Sequence, residues 1–310
     1  MPSLSSIRAS NLSIGSSLPY HPVAIFVGGT AGIGAGMART FAHHRNGDAH
    51  IILVGRNRAA AEEIIASFPK PEGKEVQHEF VECDLTLMRN VRKTTAELKQ
   101  RLPRVNFLVL SPGIMSFAGR TETDEGIDRK MALHYYARWR FTYDLIPTLQ
   151  NAKDAGEDAK VLSVLSAGTG EAGPMDLDDL ALKKNYSVVM CARACPTYND
   201  LMVQTFADKY PSIAFTHAAP GAVDTNLVHG LTKSHWSGRI LHPLSSALLR
   251  VFGTSADDCG DYMWHGLYAG TQGWYRRNRH GEDVGDRNMW STTEAKYKLW
   301  EHTLRTTSVQ

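Results

Sequence analysis

The sequence predicts an α/β fold, a doubly wound parallel sheet in a single domain, and three observations carry that reading. Short, wholly apolar runs alternate with longer amphipathic ones, the order expected when helices cover both faces of a parallel sheet. A glycine-rich turn joins the first apolar run to the first helical stretch. The 310 residues, 43% hydrophobic and 21% charged, suffice for one large core without requiring a second.

Taken in order, Val23 to Val27 is a continuous apolar run ending in glycines, and Ala35 to His43 after it has helical spacing. Ile51 to Val54 is the second strand, followed by an Ala- and Glu-rich helix from about Ala59 to Ser67. The third strand is Glu79 to Val81, ending near Asp84, and a helix from about Met88 to Leu102 leads to a fourth strand, Val105 to Leu110. A long helix follows, from about Gly126 to Leu149, with Pro147 expected to bend or shorten its last turn. The fifth strand is Val161 to Leu165, the next helix about Cys191 to Lys209, and the sixth strand Ile213 to His217. Residues 22–310 are expected to form one domain. Its part from about 228 onward, with Pro243 and several glycines, reads as irregular segments and short helices that enclose a substrate beyond the strand ends. Trp264, Trp274, Trp290 and Trp300 are available there for an apolar wall or for core packing.

The net charge of +2, with no long basic run, leaves no footprint for nucleic acid. The densest basic cluster, Arg276-Arg277-Asn278-Arg279, reads as a solvated loop. No apolar stretch reaches the ~18 residues of a membrane span. Residues 1–21 are rich in serine, lack an apolar leader-like run, and read as an extension; cytoplasmic residence is the default expectation. Cys83, Cys191, Cys195 and Cys259 are too scattered to staple the chain. Cys191 and Cys195, spaced i,i+4, share a helix face as core thiols, and no metal site is expected.

The turn Gly28-Gly29-Thr30-Ala31-Gly32-Ile33-Gly34 has glycines where a phosphate-binding turn needs them. One permits a tight bend, one lets the backbone approach a pyrophosphate, and one lets helix pack on strand. Phosphates then meet the free N–H groups at the helix start. The second strand ends at Gly55, where NAD-binding proteins place a carboxylate for the ribose 2′-hydroxyl. Here Arg56, Asn57 and Arg58 follow instead. A guanidinium pairs with a 2′-phosphate that a carboxylate repels, so NADP is the expected cofactor.

From Val23 to Leu227 the sequence resembles the short-chain dehydrogenase/reductase family, whose fold is of the Rossmann type. The glycine turn matches the family's, with Val27 in place of its threonine. The resemblance implies cofactor contacts from Gly28, Thr30, Gly32, Ile33, Gly34, Arg56 and Asn57. It implies others from Asp84-Leu85 beside the adenine, from Ser111 and Gly113 after the fourth strand, and from Pro220, Gly221 and Thr225 at the nicotinamide end. It further implies hydride transfer to or from a carbonyl, enone or alcohol of a small molecule, aided by a serine, a tyrosine acid/base and a lysine.

Ser166, just after the fifth strand, stands at the serine position. No Tyr-x-x-x-Lys lies between it and Pro220. Alignment puts Ala192 and Pro196 at the tyrosine and lysine positions and His134 at that of the family's helix asparagine. Tyr186, near Lys183 and Lys184, is the candidate substitute phenol. Tyr198 reads as packing. His134 reads either as a general acid or as a core histidine bonded to a backbone carbonyl. Two functions follow: an NADP-dependent oxidoreductase with a rearranged proton donor, or a cofactor-bound protein without redox chemistry, such as a regulator, sensor, isomerase or cyclase. The terminal extensions are similar to those of fungal members associated with secondary metabolism. Many members pair as homodimers or homotetramers through long helices, and Tyr135, Tyr136, Trp139 and Phe141 read as such an interface or as core.

Overall fold

The computed structural model describes residues 2–224 and 253–308. The elements run α1 (Leu4–Ser17), β1 (Val23–Val27), α2 (Gly32–His44), β2 (His50–Gly55), α3 (Arg58–Ala66), β3 (His78–Glu82), α4 (Met88–Arg101) and β4 (Phe107–Leu110). A short turn, α5 (Arg129–Met131), passes through a π-helical segment, Ala132–Tyr136, into α6 (Ala137–Asp154). Then come β5 (Lys160–Val164), α7 (Val188–Lys209), β6 (Ala214–Ala218), α8 (Ala256–Tyr268), β7 (Gly273–Arg277) and α9 (Thr293–Thr306).

The strands form one sheet in the order β3-β2-β1-β4-β5-β6-β7, and every neighbouring pair is parallel. This is the Rossmann-type doubly wound sheet expected. Every residue of β1, β4, β5 and β6 is buried, as strands covered on both faces must be. Alternate side chains divide the core. Ile25, Ile52 and Leu108 face the layer holding α4, α6, α7 and α9, whereas Phe26, Leu53 and Val109 face α2 and α8. The strand order reverses at β1 and β4, which opens the crevice described below.

The C-terminal part departs from expectation. The described segment after residue 252 holds a seventh strand and two full helices. Helix α8 packs on α2 so closely that a Cβ on Gly36 would collide with the Ala256 carbonyl. Trp264 stacks on Phe41 at 4.6 Å and donates Nε1–H to the Met37 carbonyl at 2.9 Å. Trp300 of α9 meets Trp139 edge-on at 5.0 Å. These two tryptophans are therefore core rather than a substrate wall. Arg276, expected in a solvated loop, lies in β7 and is 1% exposed.

Residues 1–21 carry a helix capped by Ser3 and buried along Ile7, Asn11 and Gly15. It is tied to α8 by Arg8 on Asp261 at 2.9 Å and by Asn11 on the Asp261 carbonyl at 2.8 Å. The long helix does not stop at Leu149. It continues through Pro147 to Asp154. Tyr135, Tyr136, Trp139 and Phe141 are buried, with Tyr135 bonded to Thr303 and Tyr136 to His302. Tyr135, Tyr136 and Trp139 are covered by α9 of the same chain. No helix among the described residues is long and apolar enough to cross a membrane.

Candidate active site

The crevice starts where β1 turns into α2. Gly28 sits at φ +82, with its N–H donating to the Val54 carbonyl at 2.9 Å. A Cβ there would lie 2.8 Å from the Pro112 nitrogen, so two backbones meet with no room for a side chain. A Cβ on Gly34 would collide with Ser111 Oγ and the Gly28 carbonyl, so this glycine acts beneath the crevice as the packing contact. Ala31, preceding α2, gives no side-chain cap. The first N–H groups of α2 keep their hydrogen-bonding capacity and the helix's positive end.

A cleft of about 320 Å³ opens above this turn. Gly28, Thr30, Gly32 and Ile33 of the glycine turn line it, as do Arg56, Asp84 and Leu85. Ser111, Gly113 and Pro220 border it further along. These candidates converge from five strand ends, those of β1, β2, β3, β4 and β6. Asn57 does not join them, because its side chain caps α3 by accepting from Ala60 N at 3.1 Å. Gly221, at φ +73, packs against Arg279. Thr225 lies outside the described residues. The two arginines also separate. Arg58 stacks over Phe80 at 4.9 Å and faces Glu82 at 4.0 Å, while Arg56 borders the cleft. Asp84 Oδ1 accepts from Thr86 N at 3.0 Å and Thr86 Oγ1 at 2.8 Å, which holds the carboxylate in place.

The floor at the other end is built on Arg138, 1% exposed. Its guanidinium donates to the carbonyls of Leu133 at 3.0 Å, Leu110 at 3.3 Å, Val164 at 2.8 Å and Pro112 at 2.5 Å, and to Ser163 Oγ at 2.8 Å. It ties the ends of β4 and β5 to the π-helical segment. Burial pulls its pKa down to about 9, which leaves it charged at neutral pH. Ser163 in turn donates to Asn199 Oδ1 at 2.6 Å, and Asn199 donates to the carbonyls of His134 and Cys195 at 2.8 Å.

His134 borders the cleft, and its Nε2 accepts the Ile114 N–H at 3.2 Å. A backbone N–H can only donate, so the ring proton resides on Nδ1. Burial, aided by the Arg138 charge, lowers the pKa to about 3. The ring is therefore neutral at physiological pH and is not an imidazolium acid. It accepts from a backbone amide, where donation to a carbonyl was expected.

Ser166 follows Leu165, which borders the cleft, but is not itself among the bordering residues; its hydroxyl is on the Leu165 carbonyl at 2.7 Å and its N–H on His217 Nε2 at 3.3 Å. Ala192, expected at the position of the family's tyrosine, is exposed on α7, and Pro196, expected at that of its lysine, is buried inside the helix. Tyr186 is not among the residues bordering the cleft. Its ring lies 5.4 Å from Lys130 Nζ, its hydroxyl is buried with no oxygen or nitrogen partner among the described residues, and desolvation, with Cys191 beside it, raises its pKa. Tyr198 packs in the core and donates to the Leu180 carbonyl at 3.0 Å. Cys191 and Cys195 are buried, their sulfurs 3.9 Å apart.

Sequence reasoning missed Arg138 and the His217 contact. Both depend on partners from distant elements, and the only local signal is a polar residue in an otherwise buried stretch.

The family model described as "short chain dehydrogenase" matches residues 22–175. An oxidoreductase of Emericella nidulans is 36% identical over 227 residues, which is 73% of this chain and 65% of that protein. An oxidoreductase of Emericella variicolor is 32% identical, covering 84% of this chain and 74% of the relative. The crystal structure of a 3-ketoacyl-(acyl-carrier-protein) reductase from Brucella melitensis complexed with NADH is similar in fold. It has a TM-score of 0.52 at 19% identity, covering 77% of this chain and 88% of that one.

Proposed function

Because the chain belongs to the short-chain dehydrogenase/reductase family, we propose that it is an NADP-dependent oxidoreductase acting on a carbonyl, enone or alcohol of a small apolar metabolite. The observation that carries the cofactor choice is Arg56, which borders the adenosine end of the cleft without an ion pair among the described residues. A 2′-phosphate there meets a guanidinium instead of a carboxylate. The uncapped start of α2 and the backbone cradle at Gly28 suit a pyrophosphate. When bound, the cofactor supplies or accepts the hydride. Ser166 is assigned to the reacting oxygen, and Arg138 holds the surrounding backbone rigid. Tyr186 reaches the cleft only if its loop moves, so water is the simpler proton source. A place in fungal secondary metabolism and a cytoplasmic site complete the proposal.

Arg56→Glu should weaken NADPH binding at least tenfold, about 1.4 kcal/mol, and leave NADH binding within about threefold. Calorimetric titration with both nucleotides checks this; equal losses for the two would remove the 2′-phosphate assignment. Ser166→Ala should lower kcat on a responsive enone, quinone or aromatic ketone by roughly 10²-fold or more, read from NADPH absorbance, with NADPH affinity kept. Ala192 and Pro196 motivate the second reading, a cofactor-bound protein without redox chemistry. Tight NADPH binding with no turnover across that panel would select it.

A further inference from the structure

Three buried ionisable side chains meet behind Ser166, and the proposed reaction assigns them no role. His217 on β6, Asp200 on α7 and Arg276 on β7 are each at most 1% exposed. His217 Nδ1 lies 2.6 Å from Asp200 Oδ1, and Arg276 Nε lies 3.1 Å from the same oxygen. Arg276 is itself anchored by the carbonyls of Gly285 at 2.5 Å and Arg287 at 2.7 Å. The far end of the chain is the Ser166 N–H on His217 Nε2 at 3.3 Å.

The tautomer follows from the donors. Ser166 N–H occupies the Nε2 lone pair, so the ring is neutral with its proton on Nδ1, given to Asp200. The carboxylate's charge is balanced by Arg276, and the imidazole has one orientation in which both bonds form. The position of the bond matters as much as its existence. The β5–β6 ladder ends with Leu165 N–H on the Ala218 carbonyl at 2.8 Å. Ser166 is thus the first residue whose N–H has left the sheet, and a side chain from the neighbouring strand holds it there. The turn beyond is constrained as well: Gly168 takes φ +83 and its carbonyl accepts from Asn288 Nδ2 at 3.0 Å.

A buried ion pair is a costly way to fill a core, since apolar residues of equal volume are often as stable or more so. What such a pair supplies is orientation, which second-shell contacts give to functional groups. We propose that His217, backed by Asp200 and Arg276, is a positioning residue that fixes the backbone of Ser166 and so aims its hydroxyl at the reacting oxygen. This rests on the assignment of Ser166 made above. His217 touches no substrate, so its entire effect on turnover passes through that serine.

The test is a double-mutant cycle in the full-length protein with NADPH and an acceptor that the wild type reduces. His217→Ala should lower kcat roughly tenfold or more, with the Kd for NADPH changed by less than about twofold. His217→Gln, whose amide oxygen can accept the Ser166 N–H, should recover part of the loss. Ser166→Ala/His217→Ala should be no slower than Ser166→Ala alone. A rate loss that multiplies in the double variant, or His217→Ala at wild-type kcat, overturns the proposal. Ser166→Ala at wild-type kcat instead removes the serine's assigned role, and that failure is distinct. Independently of turnover, hydrogen exchange at the Ser166 amide should accelerate at least tenfold in His217→Ala and recover in His217→Gln. Unchanged protection in His217→Ala would overturn the inference even in a protein without redox activity.

Discussion

Arg138→Leu should lower the free energy of unfolding by about 3–5 kcal/mol, read as a shift of the urea midpoint at pH 7. Leucine fills part of the volume but leaves the carbonyls of Leu110, Pro112, Leu133 and Val164 without the donor they now share. Each buried, unsatisfied carbonyl costs about 1–3 kcal/mol. Removing the guanidinium also removes its own desolvation cost, which keeps the net effect below the sum of the lost bonds. Arg138→Lys should recover only a minority of the loss, because one ammonium cannot span acceptors on two strands, a loop and a helical turn. A loss under 1 kcal/mol in Arg138→Leu would show that the carbonyls find other partners and that the cleft floor does not depend on this residue.

Acidification should destabilise the protein well before its carboxylates are protonated. Burial lowers His134 to about 3 and His302 to about 4, against about 6.5 in the unfolded chain. Both groups therefore bind a proton in the unfolded state at a pH where the folded state refuses it. Their stabilising contribution is full above pH 6.5 and is lost as pH falls from 6.5 towards 4, and for His134 on towards 3. At about 1.4 kcal/mol per unit for each ring, the two remove roughly 6 kcal/mol by pH 4, comparable with the whole stability of an ordinary domain. His78, lowered to about 4 by burial and by neighbouring His50, acts in the same direction. Glu79, held down to about 2 against its desolvation by His50 and Arg101, adds a further loss below about pH 4.5. Urea midpoints between pH 7 and 4 should fall steeply. His302→Gln should make that fall shallower, since the amide can still accept from the Tyr136 hydroxyl but does not titrate. Identical slopes in variant and wild type would refute the assignment to His302.

The N-terminal half of the sheet was legible because its signals are local. β1, β2 and the glycine turn announce themselves within a dozen residues, and the strand limits came out within about two residues. Elements whose stability is supplied by distant partners stayed hidden. Helix α8 carries Gly260 and Gly266, which read as breakers; Gly260 is required because α2 approaches within a Cβ's reach. Strand β7 ends in two arginines, and one is buried only because Asp200 awaits it on α7. Helix α1 buries an isoleucine, an asparagine and a glycine, a stripe that no hydrophobic period reveals.

The candidate site divides in the same way. Gly28, Gly32, Arg56 and Asp84 came together because each follows a strand end in a fixed order. Asn57 turned out to cap a helix, a role its sequence position just before α3 also permits. Tyr186 was chosen for its place just before α7 beside Lys183 and Lys184, and sequence neighbours say little about where a loop phenol points. His134 was placed correctly at the cleft, but its charge state depends on burial and on Arg138, neither of which a linear reading contains.

The embrace of α2 by α8 has a consequence for synthesis. Met37 and Trp264, bonded across that contact, are 227 positions apart. A nascent chain therefore exposes the aromatic underside of α2, Phe41 included, until α8 leaves the ribosome. The half of the protein with the plainest signature thus leaves one face of its core to be covered by the other half. Truncations that stop after β6 should keep every glycine of the turn and still emerge as clients of the folding machinery.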